Sequence, residues 1–429
     1  METFQLYSIF NQASGICIDS RKIVPNSLFF ALKGDNFDGN NFALKAIESG
    51  ALYAIVDNKN FVNLNNPQLI IVDDVLNTLQ ELAAFHRHHI GLPVIALTGS
   101  NGKTTSKELL NAVLSKKYAT ISTVGNLNNH IGVPLTLLNI KEDTDIAIIE
   151  MGANHQKEIE KLCEIAQPDY GFITNFGKAH LEGFGGIDGV IKGKSELYDY
   201  LSTNNKTTFI NFDDEIQLEK AQKINHYGYT FKEKVNADVK FTASYANPMA
   251  TIELKNIEFI SNLTGTYNIT NIGFAITIGI YFNIPLKDIK DAIASYIPNN
   301  NRSQWITHNN KKVLLDAYNA NPSSMKVAIE NFKQVEVNSK TIILGDMFEL
   351  GMYSDEEHSN IIKEVILSNI NTFFIGESFW KNKIDHQNLS YFKTVDDFYS
   401  FITNTPIISD VILIKGSRKL ALENTLDFL

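Results

Sequence analysis

The stretch 94-VIALTGSNGKTTSKELLNAVLSKK-117 constrains the fold more than any other. An unbroken apolar run enters a glycine loop, and a stretch with helical spacing leaves it. A run apolar on both faces reads as a strand of a parallel sheet covered by helices. Parallel neighbours require crossover connections, so such a chain is committed to β-α-β units. The pattern recurs at 146-IAIIE-150 and 170-YGFIT-174, and again at 312-KVLLD-316, 341-TIILG-345, 372-TFFIG-376 and 411-VILIK-415.

The segments outside this pattern mark the domain borders. Residues before about 90 read as short strands and turns, with a strand at 28-LFFALKG-34, helical spacing at 42-FALKAIESGA-51 and a buried strand at 69-LIIVDD-74. A helix follows through 76-LNTLQELAAFHRHH-89, and Gly91-Leu92-Pro93 ends it. The HRHH cluster is expected to be the solvated end of that helix rather than a metal site. Residues 205–260 look antiparallel, and 265-GTYNITNIGFAITIGIYF-282 reads as a loop entering a helix. The helix 286-LKDIKDAIASY-296 closes this unit, and the Asn-rich 299-NNNR-302 is the expected hinge. The fold class is α/β with three domains, at 1–90, 91–298 and 299–429. The second carries a mainly parallel sheet around the glycine loop, and the third repeats a smaller Rossmann-like pattern.

The chain has 429 residues, 44% hydrophobic and 20% charged, as in soluble globular proteins. A net charge of -10 argues against a nucleic-acid partner. The two cysteines, Cys17 and Cys163, form no C-x-x-C pair, so neither a disulfide framework nor a zinc knuckle is expected. The start METFQLYSIF lacks the pattern of a signal peptide, and no apolar run reaches the ~18 residues of a membrane span. The expectation is a cytoplasmic protein without membrane insertion.

In open α/β sheets, ligands bind beyond the carboxyl ends of the strands. Here GSNGKTT, Glu150 with Met-Gly, NFGKAHLEGFG, AYNANPSSM, DMFELG and GSR follow six of the strands. Their convergence in two domains points to one cleft between them. In the first loop Gly99, Ser100, Asn101 and Gly102 form a tight turn at a helix N-terminus, where free N–H groups and the helix dipole favour phosphate. Lys103 would reach the outer phosphates of ATP, and the Thr104 hydroxyl would ligate Mg²⁺, with Thr105 beside it. Leu97 stands where the full G-x-x-x-x-G-K-[ST] motif has glycine. Glu150 is the second Mg²⁺ candidate. His180 reads equally as a ligand of a second ion and as a satisfied loop histidine.

These segments, with 126-NLNNHIGVPLTLL-138, 150-EMGANH-155, 316-DAYNANPSSM-325 and 345-GDMFELG-351, are similar to the Mur ligases, the ATP-dependent amide ligases of peptidoglycan precursor synthesis. The resemblance runs from residue 19 to residue 418. The run DAYNANPSSM resembles the member that adds D-alanyl-D-alanine, and the D-N-P-R motif of the member that adds diaminopimelate or lysine is absent. The resemblance implies a UDP-binding N-terminal domain, a central ATPase domain and a C-terminal ligase domain. It implies UDP-N-acetylmuramoyl-tripeptide and D-alanyl-D-alanine as partners, two Mg²⁺ ions and action as a monomer.

It also assigns residues. Ser20, Arg21, Lys33 and Gly34 would hold the UDP-sugar, and Asn128 and Asn129 the substrate. His180 and a carbamylated Lys194 would hold the second Mg²⁺, the K-x-E spacing to Glu196 favouring Lys194 over Lys192. Asn268 would contact adenine, while Tyr267 stands where the family often has histidine. Arg302 would reach the γ-phosphate and Asp316 the nucleotide. Tyr318, Asn319, Asn321, Lys415 and Arg418 would shape the acceptor side. Lys103, His180, Lys194 and Arg302 are thus the expected catalytic groups. The rival readings are a folylpolyglutamate synthase-like ligase, a neighbouring Mur ligase, and a nucleotide-binding regulator without catalysis.

Overall fold

The computed structural model describes residues 1–298 and 301–429. The first two residues of the expected hinge, and the border between the second and third domains placed at 298/299, fall on or beside residues outside the described set.

The N-terminal domain is a four-stranded parallel sheet in the order Ile16–Cys17, Leu28–Phe30, Tyr53–Val56, Leu69–Ile71. The segment expected to be one strand to Gly34 stops at Phe30, and Lys33–Gly34 pairs in a separate small hairpin with Phe37–Asp38. The helix Val75–Ile90 leads out of this domain. Asp74 caps it by accepting from the Asn77 N–H at 2.7 Å, and Gly91 ends it with φ 69°.

The tail of that helix is a clamp, which corrects the reading of HRHH as a solvated face. Arg87 is buried, donating to the Ala166 carbonyl at 3.0 Å and pairing with Asp169 at 2.7 Å. Asp169 also accepts from the Val94 N–H at 3.1 Å, so one carboxylate joins the helix to the start of the next domain. His86 is buried too, with Nε2 3.0 Å from the Ile140 carbonyl and Nδ1 3.2 Å from the Tyr7 hydroxyl. His88 and His89 face outward.

The central domain carries a seven-stranded, wholly parallel sheet. Its order is Val239–Lys240, Asn225–Thr230, Thr207–Asn211, Tyr170–Ile173, Val94–Thr98, Ile146–Glu150, Thr120–Ser122. The chain winds from Val94–Thr98 toward one edge, then crosses to Tyr170–Ile173 on the other side, which makes the first strand the switch point. Residues 207–240 therefore belong to the parallel sheet, and only Ala243–Ala246, Met249–Leu254 and Ile257–Thr264 are antiparallel. The sequence misled here because the crossover between residues 211 and 225 carries a helix of only six residues, Glu215–Lys220. The apolar helix Tyr267–Tyr281 lies against the glycine-loop helix Lys103–Leu114.

The C-terminal domain has six strands in the order Gln304–His308, Lys311–Asp316, Val411–Lys415, Lys340–Gly345, Asn371–Ile375, Leu389–Phe392, with only the first antiparallel. The ends of two of its strands, at Asp316 and Lys415, line the same cavity as Glu150 and Thr174 at the strand ends of the central sheet.

Candidate active site

A cavity of about 1220 Å³ lies between the central and C-terminal domains. Its floor is the glycine loop. Gly102 has φ 78°, and a Cβ there would lie 2.5 Å from Asn271 Oδ1. Gly99 has φ 143°, and a Cβ there would lie 2.0 Å from Thr174 Oγ1. Only glycine fits either position. The Ser100 and Asn101 N–H groups are taken by the Asn175 backbone carbonyl at 3.0 Å and side chain at 3.1 Å. The first turn, Lys103 to Thr105, keeps N–H groups without intrahelical acceptors, and these are available to an anion. Lys103 donates to the Gly99 carbonyl at 2.6 Å. Burial lowers its pKa, and the nearby Glu150 works against that shift.

Glu150 ends its strand fully inside the protein. Asn128 Nδ2 donates to Oε1 at 2.7 Å, while buried Oε2 has no partner. An orphaned carboxylate oxygen facing the same cavity as Thr104 is the donor set a divalent cation completes. Among the described residues no three His, Cys, Asp or Glu side chains cluster as a metal site. A cation here would therefore depend on Glu150, Thr104 and the nucleotide's own oxygens.

His180, with φ 52°, lines the cavity, and its Nδ1 is bonded to Glu349 of the C-terminal domain. That bond holds the Glu349 carboxyl below its usual pKa. Lys194 is wholly buried, and its Nζ donates to the carbonyl of Ala153, a lining residue, at 3.0 Å. Burial, then repulsion from Lys103, pushes its pKa well down. Lys192 is exposed. Glu196, whose K-x-E spacing favoured Lys194, makes no hydrogen bond to it. It accepts from the Lys157 N–H at 2.6 Å and the Glu160 N–H at 3.0 Å, holding the start of the helix Glu158–Ala166.

The C-terminal domain closes the cavity. Asn321 Nδ2 donates to Asn101 Oδ1 at 2.7 Å, tying the acceptor-side loop to the glycine loop. Ser323 Oγ accepts from the Lys178 N–H at 2.8 Å. Asp316 accepts from Lys415 Nζ at 2.6 Å, and Lys415 also donates to the Asn319 carbonyl at 3.2 Å. The Arg302 guanidinium lies 3.7 Å from the Tyr318 ring centroid, with its buried Nε unpartnered. Tyr267 bonds to Ser303, whose N–H donates to Asp316 at 3.0 Å.

The structure thus gathers Ser100 to Thr105, Glu150, His180, Arg302, Asp316, Tyr318, Asn319, Asn321, Lys415, Asn128 and Asn129 around one space. It leaves others out. Asn268 is buried beside the cavity, committed to the Thr264 carbonyl at 2.8 Å and to Asn271 at 2.9 Å, and Asn271 is the residue that lines it. Arg418 is paired with Glu423, and Arg21 lies 2.9 Å from Asp19, both on the surface. Lys33 pairs with Asp57 at 2.7 Å. Ser20, Arg21, Lys33 and Gly34 do not line the cavity, and Leu76 is the lining residue from the N-terminal domain. Asn175, Asn271 and Glu349 were not singled out in the sequence. Asn271 lies one helical turn from Asn268, and Glu349 lies in the quoted GDMFELG run, so both carried a signal.

A phosphate loop and an orphaned carboxylate beneath a second α/β domain make an interdomain nucleotide-binding cleft, and the chain belongs to the Mur ligase family. Residues 12–93, 97–279 and 301–418 match the models for the Mur ligase family catalytic domain, the Mur ligase middle domain and the Mur ligase glutamate ligase domain. Within the family it is similar to UDP-N-acetylmuramoyl-tripeptide–D-alanyl-D-alanine ligases. That of Bacillus subtilis is 33% identical, over 95% of this chain and 91% of the relative, and that of Escherichia coli 34% identical, over 81% and 77%. Among solved structures, MurF from Acinetobacter baumannii superposes with a TM-score of 0.85 at 29% identity, covering 98% of this chain and 97% of that one. MurF ligase from Thermotoga maritima, in complex with ADP, gives 0.83 at 26% identity, with 98% and 97% covered.

Proposed function

We propose that the chain joins D-alanyl-D-alanine to the tripeptide carboxylate of UDP-N-acetylmuramoyl-tripeptide at the expense of ATP. The observation that carries this is the Asn101–Asn321 contact. It places the phosphate loop and the loop of the DAYNANPSSM run on opposite walls of one cavity.

A carboxylate is a poor electrophile and must be activated. Its oxygen attacks the γ-phosphorus of ATP, the bond to ADP breaks, and an acyl phosphate forms. The dipeptide amine then attacks the acyl carbon, phosphate leaves, and the amine loses its proton. Lys103 and Arg302 offset the charge on the transferring phosphoryl group. Glu150 and Thr104 would hold one Mg²⁺, and His180 with a carbamylated Lys194 the second. Such ions supply charge neutralisation and align the phosphoryl group. The low pKa of buried Lys194 supports the modification, because the neutral amine is the form that adds carbon dioxide. Closure by the C-terminal domain excludes water from the acyl phosphate.

Ser20, Arg21, Lys33 and Gly34 would take the UDP end of a long substrate that passes Leu76 into the cavity. No helix among the described residues is long and apolar enough to cross a membrane. The precursors are made in the cytoplasm, which we take as the location.

The test is phosphate release from ATP and Mg²⁺ with UDP-N-acetylmuramoyl-tripeptide, with and without D-alanyl-D-alanine. Release that requires the dipeptide, with a product mass equal to the joined substrates, supports the reading. Release only with a free amino acid and a shorter UDP-peptide assigns the chain to a neighbouring reaction of the family.

A further inference from the structure

The partner of His180 comes from another domain, and the loop that delivers it is built for the purpose. Glu349 follows the strand Lys340–Gly345. Asp346 anchors the loop, accepting from the Ser378 N–H at 2.8 Å and the Phe379 N–H at 2.9 Å. Ser417 Oγ donates to the Asp346 carbonyl at 2.6 Å, and the Met347 N–H donates to Nε2 of the buried His358 at 3.1 Å. At the tip Glu349 adopts φ 62°, and its carbonyl accepts from the Glu182 N–H at 3.1 Å, two residues beyond His180. A Cβ on Gly351 would lie 3.1 Å from the Glu182 side chain, so the loop sits flush on the segment that carries the histidine. Both ends of the contact are thereby fixed by backbone as well as side chain.

The chemistry of the contact selects one form of the imidazole. An ionised carboxylate has no proton to give, so Nδ1 carries the hydrogen. In the neutral ring Nε2 then holds the lone pair. A histidine whose second nitrogen is bonded to a carboxylate is oriented and made more basic as a ligand. Without that partner the ring can rotate and exchange tautomers.

We propose that Glu349 is a positioning residue for the ligase reaction. Docking of the C-terminal domain brings its carboxylate onto Nδ1 of His180 and leaves Nε2 as the nitrogen able to accept a cation. His180 is then competent as a ligand only in the closed arrangement, so domain closure and completion of the cation site are one event. This rests on the ATP-dependent ligase reading above. The alternative is an interdomain pair that holds the domains together and leaves the imidazole's state unchanged.

The experiment uses the full chain labelled with ¹⁵N-histidine, with His180→Gln to assign the resonance and bicarbonate present throughout. The ¹⁵N shifts report the tautomer of His180 in the ligand-free protein. Titration of Mn²⁺ in the presence of ADP, followed by electron paramagnetic resonance, reports the affinities of the ions. In the parent protein His180 is expected as the Nδ1–H form. Glu349→Ala is expected to move it toward the Nε2–H form and to weaken one Mn²⁺ by about 10–100-fold while leaving another unchanged. Glu349→Gln, which keeps the shape and an acceptor oxygen, is expected to fall between them, and it carries the test if the alanine variant does not fold. A tautomer and Mn²⁺ affinities within twofold of the parent in the folded variant would overturn the proposal. Neither readout depends on turnover. A chain that shows both shifts yet joins no dipeptide would retain the positioning role and lose the ligase reading.

Discussion

Replacing Glu150 by glutamine should stabilise the empty protein while removing its response to magnesium and nucleotide. Glu150 is 1% exposed, and only one of its carboxylate oxygens has a partner. A buried acceptor left unpaired costs about 1–3 kcal/mol, more when charged. Glutamine keeps Oε1 for Asn128 and removes the charge at Oε2; its amide N–H groups are also left unpaired there, so only the charged part of the cost is relieved. The opposing loss is the attraction to Lys103, whose ammonium is already held by the Gly99 carbonyl at 2.6 Å. Lys103 is itself largely buried, so losing that attraction costs about 1 kcal/mol or more and offsets part of the gain. The net gain is about 1 kcal/mol, or a rise of roughly 2–4 °C in the central domain's transition. Scanning calorimetry of parent and variant, without ligand and then with Mg²⁺ and ADP, reads both effects. At a hundredfold excess over Kd, binding adds about 2.7 kcal/mol to the parent, and the variant should lose most of this. The reasoning is refuted if empty Glu150→Gln melts below the parent, or if it gains as much from Mg²⁺ and ADP.

Three further outcomes are expected. Gly102→Ala forces a Cβ to 2.5 Å from Asn271 Oδ1 at φ 78°. The backbone strain alone costs about 1–2 kcal/mol of stability, and relieving it moves the loop N–H groups that face the phosphates, so KM for ATP should rise about tenfold in steady-state assays. Lys194→Ala should lower kcat by about 100-fold, the scale on which lost charge stabilisation is felt, and short carboxylates should restore part of it. Full activity in that variant would rule out the lysine's assigned role. Burial holds the pKa of His86 and His358 below the ordinary histidine value. In the unfolded chain both take a proton near pH 6.5, so stability present above that pH is lost as pH falls through it. The loss is at most about 1.4 kcal/mol per pH unit for each histidine. Urea unfolding at pH 7.5 and 5.5 should show it, and His86→Gln should make it smaller.

What the sequence disclosed was local. The phosphate loop was legible because 94-VIALT-98, the glycines and the following helix all lie within one contiguous stretch. Four of the six strands of the third domain were legible for the same reason, each being an apolar run between polar loops, while Gln304–His308 and Leu389–Phe392, which lack such a run, were not. Parallel strands at 207–240 were hidden because their crossover helix is too short to show a period. Arg87 was read as solvated because its partner Asp169 lies 82 residues away, and burial is decided by that partner. Glu349 escaped notice because His180 lies 169 residues from it. The surface pairing of Arg21 and Arg418 could have been found, since Asp19 and Glu423 stand close in sequence. A motif reports which residue type a site uses. It does not report which of two asparagines one helical turn apart, Asn268 or Asn271, faces the cavity.

The central claim is that ATP activates the tripeptide carboxylate before the dipeptide amine arrives. The direct measurement places ¹⁸O in the terminal carboxylate of UDP-N-acetylmuramoyl-tripeptide and follows it by mass spectrometry during turnover with ATP, Mg²⁺ and D-alanyl-D-alanine. An acyl phosphate requires that one labelled oxygen leave with each phosphate released, the other remaining in the new amide. Phosphate without label, formed alongside the joined product, would contradict it.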